Sequence, residues 1–362
     1  MQALITHRTF FTRVFNALSG RAIFSPGATV RDNVPIPKIN SQQLLVKVKT
    51  VALNPSDFKH MDALGPPNCI LGCDFAGEVV EVGGGVTSKW KVGDRIAGCV
   101  HGGMYSDEGA FAEYLKVDSD IAWRVPDDIS DADATTYGVS AVTAAYTLNT
   151  RFGIPFPGSG ETPAPSDDST IFIYAGGTSA GLFHLQFAKA VGYTVVTTAS
   201  PRSFDLVKKY GADAVFDYRS PTLVADILAK YPNLTKAVDC FSEGASSSIC
   251  AQVLQPRDSK VVILLPNGQS KIPGVRYDPV MLYSCFGRAF QMLAPIGPKF
   301  EASKGDREWL ARYYSAFPHL ARILKPIPIV KLDPGFKGIM DGLDKLRKGM
   351  VAGGKQVVEL RS

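Results

Sequence analysis

In the first third of the chain the apolar positions fall in short, β-branched runs bounded by Gly, Pro or Asp. LLVKVKTVAL (44–53), GEVVEVG (77–83), DRIAGCV (94–100) and FAEYLKV (111–117) are of this kind. Such runs predict strands. Glycines at 72, 77, 83, 93 and 98 mark the turns between them. With an opening strand at Ala3–Thr6, the pattern describes an irregular β domain. From about Ala132 to Phe152 it turns helical. PFPGSGETPAPSDDS (155–169) then reads as a loop or linker from its Pro, Gly and Ser content.

Beyond the linker the rhythm changes. TIFIYAGG is a strand and a turn, and TSAGLFHLQFAKAVG a helix. YTVVTTAS is a strand, RSFDLVKKYGA a helix stopped by Gly211, and AVFDY a strand. LVADILAKY is a helix, while KAVDCF and KVVILL are strands. Strands alternating with helices of this length predict an α/β fold with a doubly wound parallel sheet. The tail (327–360) reads strand, helix, strand and is expected to rejoin the first domain. The stretch 270–317 carries few periodic signals.

Composition narrows the class. A chain of 362 residues exceeds the usual size of one core, so two domains are expected. The net charge of +5 is spread along the chain, without a block of like charges that would read as a nucleic-acid arm. No apolar run reaches the length of a membrane span. The basic N-terminus fits a transit peptide, but it lacks the long apolar core of a secretory signal, and a strand at Ala3–Thr6 is the preferred reading. The six cysteines include no C-x-x-C pair and read as reduced thiols of a cytoplasmic protein.

The candidate chemistry begins at YAGGTSAG (174–181), between a strand and a helix. Gly176, Gly177, Thr178, Ser179, Ala180 and Gly181 form a G-G-x-x-x-G loop where a dinucleotide fingerprint belongs. Glycines let the backbone approach a pyrophosphate, and the helix N-terminus offers N–H donors. The plain alternative is a glycine-rich turn without a ligand. An acid that grips the ribose diol of NAD is expected about 20 residues later. Between Thr178 and Phe204 there is no Asp or Glu. Ser200 and Arg202 stand there instead, with Lys208 just beyond, and the three suit a 2′-phosphate. The expected cofactor is therefore NADPH. Arg202 taken alone also fits a solvated surface arginine, so the missing acid carries the argument.

NPSDFK (54–59), GCDFAGEV (72–79), Val82-Gly83, Gly93-Asp94-Arg95, GAFAEY (109–114) and the glycine loop resemble, in order and spacing, the medium-chain dehydrogenase/reductase superfamily. The resemblance covers nearly the whole chain. It implies a GroES-like domain (1–156 and 317–362) and a Rossmann NADPH-binding domain (157–316). The catalytic-zinc ligands of the family's alcohol dehydrogenases fall at Asn54, Cys73 and near Val139, and only Cys99 lies in the structural-zinc region. One thiol cannot hold a catalytic zinc. A zinc-free reductase of conjugated carbon–carbon double bonds is expected, with Cys73 a packed core residue.

Within that group the chain is most similar to fungal trans-acting enoyl reductases of the lovastatin-pathway type. This likeness rests on NPSDFK, the insert 155–165, ASPRSFDL (199–206), GADAVFDY (211–218), Leu264–Pro266 and the tail 325–349. It implies hydride transfer from NADPH to the β-carbon of an α,β-unsaturated polyketide thioester on the carrier protein of a partner synthase. It further implies Ser56 and Lys59 on the substrate side and Thr143 facing the nicotinamide. Ser200, Ser203 and Tyr218 would flank the adenosine phosphate, and the backbone of Leu264 and Leu265 would hold the carboxamide. Tyr137 and His184 read as structural, and His60, next to Lys59, as the one histidine to test. Cys285-Phe286-Gly287 resembles the edge strand through which relatives dimerise, although a monomer is expected. Two alternatives stay open: a stand-alone reductase of small enones or quinones, and a non-catalytic NADPH-binding protein.

Overall fold

The computed structural model describes every residue except 21, 23–25, 87, 88, 161–168, 352, 353, 361 and 362. The central part of the expected linker (155–169) thus lies outside the described residues. The chain forms two compact units. Met1–Val139, Tyr283–Pro318 and Pro328–Ser362 make the first, and Ser140–Leu282 with His319–Ile327 the second. Residues 283–316, assigned to the cofactor domain on sequence grounds, fall in the first unit.

The first unit opens with β1 (Ala3–Thr6), α1 (Phe10–Ser19) and β2 (Ala28–Arg31), in which β1 and β2 pair antiparallel. Its main sheet uses β3 (Gln43–Ala52), β4 (Asp74–Val82), β5 (Arg95–Cys99), β6 (Tyr114–Asp118) and β7 (Ala122–Arg124). Between β3 and β4 lie the short helix α2 (Pro55–Lys59) and a π-helical turn, His60–Leu64. The expected helix 132–152 is broken. It appears as α3 (Asp131–Thr135), α4 (Val139–Tyr146) and a π-helical turn, Thr147–Arg151. The cause lies at Gly138. The Asp74 carboxylate accepts the Val139 N–H at 2.7 Å, and a Cβ on Gly138 would sit 2.2 Å from its Oδ1.

The second unit carries the predicted alternation: β8 (Thr170–Tyr174), α5 (Ser179–Ala190), β9 (Thr194–Ala199), α6 (Phe204–Lys209), β10 (Ala214–Asp217), α7 (Leu223–Lys230), β11 (Lys236–Asp239), α8 (Ser246–Gln252), β12 (Ser259–Ile263) and β13 (Val275–Pro279). The strands are parallel in the order β10-β9-β8-β11-β12-β13. Helices cover both faces of such a sheet, so its central strands are apolar throughout. Ile171, Phe172 and Ile173 of β8 are fully buried. The order reverses between β8 and β11, and in open sheets of this kind ligands bind outside the carboxyl ends of the strands at such a switch point.

Two local expectations are corrected. Cys285-Phe286-Gly287 is not an edge strand: Leu282–Phe286 is a 3-10 turn, and β13 forms that edge of the sheet. β12 ends at Ile263, so Leu264 and Leu265 stand just beyond the strand rather than at its end.

The chain continues through β14 (Phe290–Gln291), β15 (Lys299–Phe300) and α9 (Lys304–Ile323), then β16 (Ile329–Lys331), α10 (Phe336–Arg347) and β17 (Lys355–Glu359). The tail rejoins the first unit as expected. β17 pairs antiparallel with β3 and parallel with β16, completing a sheet of order β16-β17-β3-β4-β5-β7 with β6 also on β3.

Candidate active site

The glycine loop sits at the carboxyl end of β8. The threonines that end β9 pin it there. Ala175 N–H donates to Thr198 Oγ1 at 3.0 Å, and Gly176 N–H to the Thr198 carbonyl at 2.9 Å. Thr178 caps α5, its hydroxyl accepting the Gly181 N–H at 3.0 Å and donating to the Ala175 carbonyl at 2.9 Å. The three glycines have different jobs. A Cβ on Gly176 would lie 2.2 Å from Thr197 Oγ1, and one on Gly181 2.4 Å from the Ala175 carbonyl, so packing requires both. A Cβ on Gly177 would meet nothing nearer than Ser203 Cβ at 3.6 Å. Gly177 therefore leaves an open cradle at the start of a helix, which fits the pyrophosphate of a dinucleotide.

The proposed phosphate side lies in the same unit and adjoins this loop through Ser203. Ser200 Oγ is 3.2 Å from Ser203 Oγ, in the turn Pro201–Ser203 that carries the exposed Arg202. Tyr218 follows β10, and its N–H donates to the Ala199 carbonyl at 3.4 Å, placing it beside Ser200. Ser200, Arg202, Ser203 and Tyr218 thus gather at the ends of β9 and β10. Leu264 N–H donates to Ser242 Oγ at 2.9 Å, which fixes the start of the segment beyond β12. Thr143 is buried in α4 of the same unit.

A node absent from the sequence reading supports this edge. Asp239, fully buried at the end of β11, accepts hydrogen bonds from Ser246 Oγ (2.6 Å), Ser247 Oγ (2.7 Å), Ser242 N–H (2.8 Å) and Phe241 N–H (3.0 Å). His184 is structural, as expected. Its Nδ1 lies 2.7 Å from the Ala180 carbonyl inside α5.

In the first unit, α2 brings Ser56 and Lys59 together. Asp57 Oδ2 accepts the Asn54 N–H at 2.7 Å and fixes the helix start. Lys59 is half-buried in the last turn, where a cation suits the carbonyl end. The Ser56 hydroxyl is enclosed beside the Tyr283 phenol, with no hydrogen bond of ordinary geometry among the described residues. His60 Nδ1 lies 2.9 Å from the Ser56 carbonyl, and burial lowers the ring's pKa to about 4. Both His60 and its neighbour His101, 5.5 Å away between ring centroids, are therefore neutral, His101 also through burial and the proximity of His60. His101 stacks on Tyr283 at 3.9 Å. Tyr137 packs edge-on against Trp123 and Phe317, in keeping with a structural role.

The positions aligned with zinc ligands hold another arrangement. Cys73 is fully buried, its Sγ 3.5 Å from the Tyr283 hydroxyl. Burial, with the Asp57 and Asp74 carboxylates, pushes its pKa well up, so it stays a thiol. Asn54 Nδ2 donates to Asp74 Oδ2 at 2.9 Å. The Lys355 ammonium donates to Asn54 Oδ1 and lies 3.0 Å from Asp74 Oδ2, with side chains 2% and 0% exposed. A buried cation from β17 thus already satisfies this carboxylate and amide. Lys355 carries no sequence signal beyond an inward position in a strand. Burial and Asp74 push the neighbouring Asp57 up to about 7.

Residues 40–127 match the family model of the alcohol dehydrogenase GroES-like domain, and residues 180–284 that of the zinc-binding dehydrogenases. The trans-enoyl reductase ACTTS2 of Alternaria alternata is 35% identical, covering 93% of this chain and 97% of its own length. The trans-enoyl reductase resD of Aspergillus sclerotiorum is 34% identical, covering 92% and 97%. Among solved structures, the CurK enoyl reductase superposes with a TM-score of 0.73 at 16% identity, over 99% of both chains, which speaks to the fold.

Proposed function

This chain belongs to the trans-enoyl reductase family, and on that premise we propose that it reduces an α,β-unsaturated polyketide thioester held on the carrier protein of a partner synthase, using NADPH. A bound nicotinamide would supply a hydride to the substrate β-carbon. Negative charge would then build on the thioester oxygen as an enolate, donors aimed at that oxygen lower the barrier, and the α-carbon takes a proton from solvent to complete the reduction. Lys59 is the charged donor for the oxygen or for the pantetheine arm, with Ser56 beside it. Thr143 orients the nicotinamide, and the backbone beyond β12 takes its carboxamide.

The observation that carries the cofactor assignment is the acid-free turn after β9. Ser200, Arg202, Ser203 and Tyr218 gather there beside the open Gly177 cradle. A carboxylate would repel a 2′-phosphate at this point, whereas hydroxyls and a guanidinium bind one. Zinc-free chemistry is supported by the donor set: Asn54, Cys73 and Val139 replace the ligands, and Lys355 lies where a second cation would be repelled. The six free cysteines fit a reduced, cytoplasmic setting. Among the described residues no helix is long and apolar enough to cross a membrane.

The test follows NADPH oxidation with a 2-enoyl pantetheine thioester, a simple enone and a quinone side by side. Preferential thioester turnover supports the proposal. Turnover of enone or quinone with the thioester inert moves the protein to the stand-alone reductases. Inertness toward all three, and toward the carrier-bound thioester, leaves a non-catalytic NADPH-binding protein.

A further inference from the structure

The helix α1 is inside out. Its buried residues are Arg13 and Asn16, 3% and 4% exposed, whereas Phe11 and Leu18 are 82% and 85% exposed. Apolar burial therefore does not explain where this helix docks. Its polar side chains do. α1 precedes the GroES-like match at residues 40–127 and packs on the π-helical turn His60–Leu64, which continues α2 directly.

The residues after that turn leave it short of donors. The turn closes with the Gly65 N–H on the His60 carbonyl at 3.0 Å. In a continuing helix the carbonyls of Asp62, Ala63 and Leu64 would take N–H groups from residues 66–69. Pro66 and Pro67 have none. The N–H groups of Asn68 and Cys69 go to the Thr6 carbonyl (2.7 Å) and to Thr6 Oγ1 (3.0 Å). α1 fills the gap. Asn16 Nδ2 donates to the Asp62 carbonyl at 2.9 Å and Arg13 Nε to the Ala63 carbonyl at 2.9 Å. Arg13 Nη2 donates to the Leu64 carbonyl at 3.2 Å, which the Leu293 N–H also reaches at 2.8 Å. The Asp62 carboxylate is held as well, by Arg8 at 3.3 Å and by Arg347 of α10 at 2.6 Å.

These bonds bear on where Lys59 points. Lys59 ends α2, and the π-turn follows at once. A π-turn takes one residue more than an α-turn. Without donors at its end it can rewind to the commoner α form. That would swing Lys59 against the turn by about 100°, the step between neighbouring residues of an α-helix. The start of α2 is already pinned by Asp57 on the Asn54 N–H. π-helical turns are rare and frequent at functional sites.

We propose that Arg13 and Asn16 are positioning residues, which hold the π-turn and thereby aim Lys59 and Ser56 at the substrate. The inference rests on the reading of Lys59 and Ser56 as substrate-side groups. It gives α1, a segment outside the matched domain, a role in orientation without contact to the substrate.

The experiment uses the full chain with NADPH and crotonyl pantetheine. It compares Arg13→Met, Arg13→Lys and Asn16→Ala with the wild type, each also combined with Lys59→Ala. For Arg13→Met, kcat is expected to fall at least ~10-fold, the consequence of a small misplacement of a catalytic group, with the NADPH Kd unchanged. Arg13→Lys keeps a charged donor and should lie between Arg13→Met and the wild type. In the Lys59→Ala background Arg13→Met should lower kcat less than ~2-fold further, because a residue that acts through Lys59 has nothing left to aim. A second measurement needs no turnover. Competitive acetylation by a trace of acetic anhydride, read by peptide mass spectrometry, compares Lys59 with Lys304 and Lys337, whose side chains are 90% and 82% exposed. The Lys59 rate relative to these should change at least ~3-fold in Arg13→Met, since an ammonium group follows its surroundings closely. Asn16→Ala, which removes one donor, answers the same questions if Arg13→Met does not fold. An unchanged Lys59 acetylation rate overturns the proposal, whatever happens to kcat. So does an equal fall of kcat with Lys59 and with Lys59→Ala, which marks a general loss of structure. If the wild type does not reduce the thioester, or Lys59→Ala turns over as the wild type does, the reading of Lys59 fails, and the acetylation comparison still decides whether α1 positions it.

Discussion

Replacing Lys355 by Met removes the cation that faces Asp74 in the first unit. Asp74 is fully buried, and its partners there are the Lys355 ammonium at 3.0 Å, the Asn54 amide at 2.9 Å and the Val139 N–H at 2.7 Å. Two neutral donors do not compensate a carboxylate removed from water. Breaking a buried pair by deleting one member costs about 3–5 kcal/mol. With a urea slope of ~2 kcal/mol/M, the midpoint should fall by roughly 1.5–2.5 M. The assay is simple because Trp90, Trp123 and Trp309, the three tryptophans, all belong to the first unit, so intrinsic fluorescence reports on its unfolding. A second variant tests the cause. Lys355→Met with Asp74→Asn removes both charges. The side-chain amide introduced by Asp74→Asn can still accept the Val139 N–H and exchange hydrogen bonds with the Asn54 amide. Most of the lost stability should return, since a neutral pair of similar volume replaces a buried ion pair with little loss. A single variant that loses under ~1 kcal/mol, or a double variant as unstable as the sum of its parts, would refute the assignment of Lys355 as the obligatory counter-ion.

Asp57 should make stability fall as pH rises. Its folded pKa, raised to about 7, exceeds the unfolded value, so the folded state holds the extra proton between about pH 4 and 7. The stabilisation is full below about pH 4, is lost through that window and stays lost above it. The gap corresponds to about 4 kcal/mol, and Asp57→Asn should flatten a plot of urea midpoint against pH. Gly177→Ala should leave the thermal midpoint unchanged yet weaken NADPH binding. Gly176→Ala, whose Cβ would meet Thr197 Oγ1 at 2.2 Å, should lower stability by about 1–3 kcal/mol in the same melting experiment. Ser200→Asp should raise the NADPH Kd ~10-fold or more while changing that for NADH by less than ~3-fold, read by nicotinamide fluorescence; equal effects would defeat the phosphate assignment. Lys59→Ala should lower turnover while sparing the NADPH Kd, and unchanged turnover would remove Lys59 from the mechanism.

The parts legible in the sequence share one property: their signal is local. The βα alternation of the second unit is written in continuous apolar strands and intervening helices. The glycine loop and the acid-free turn after β9 are fixed by a few adjacent residues. The missed parts depend on partners far along the chain. Helix 132–152 breaks because Asp74, 65 residues earlier, takes the Val139 N–H. Lys355 gains its role only when β17 places it against Asn54 and Asp74, about 300 residues from Asn54. α1 escaped because the usual rule, apolar side inward, is reversed by the carbonyls of a π-helical turn. Asp239 resembled any strand-end acid, and only the fold assembles its four donors.

The position of β17 governs how this protein can be made. The last strand of the chain pairs with β3, the first long strand of the main sheet, and carries the lysine that neutralises Asp74. During synthesis the first unit therefore emerges without its closing strand and with a carboxylate lacking its counter-ion. The second unit, whose sheet is complete by Pro279, has all its strands about 80 residues earlier. On the ribosome the order of maturation should thus reverse the order of translation, with the N-terminal strands waiting for β17. A nascent chain stalled before Lys355 would present an open sheet edge at Ala52, and an early stop codon would strand the protein in that aggregation-prone state.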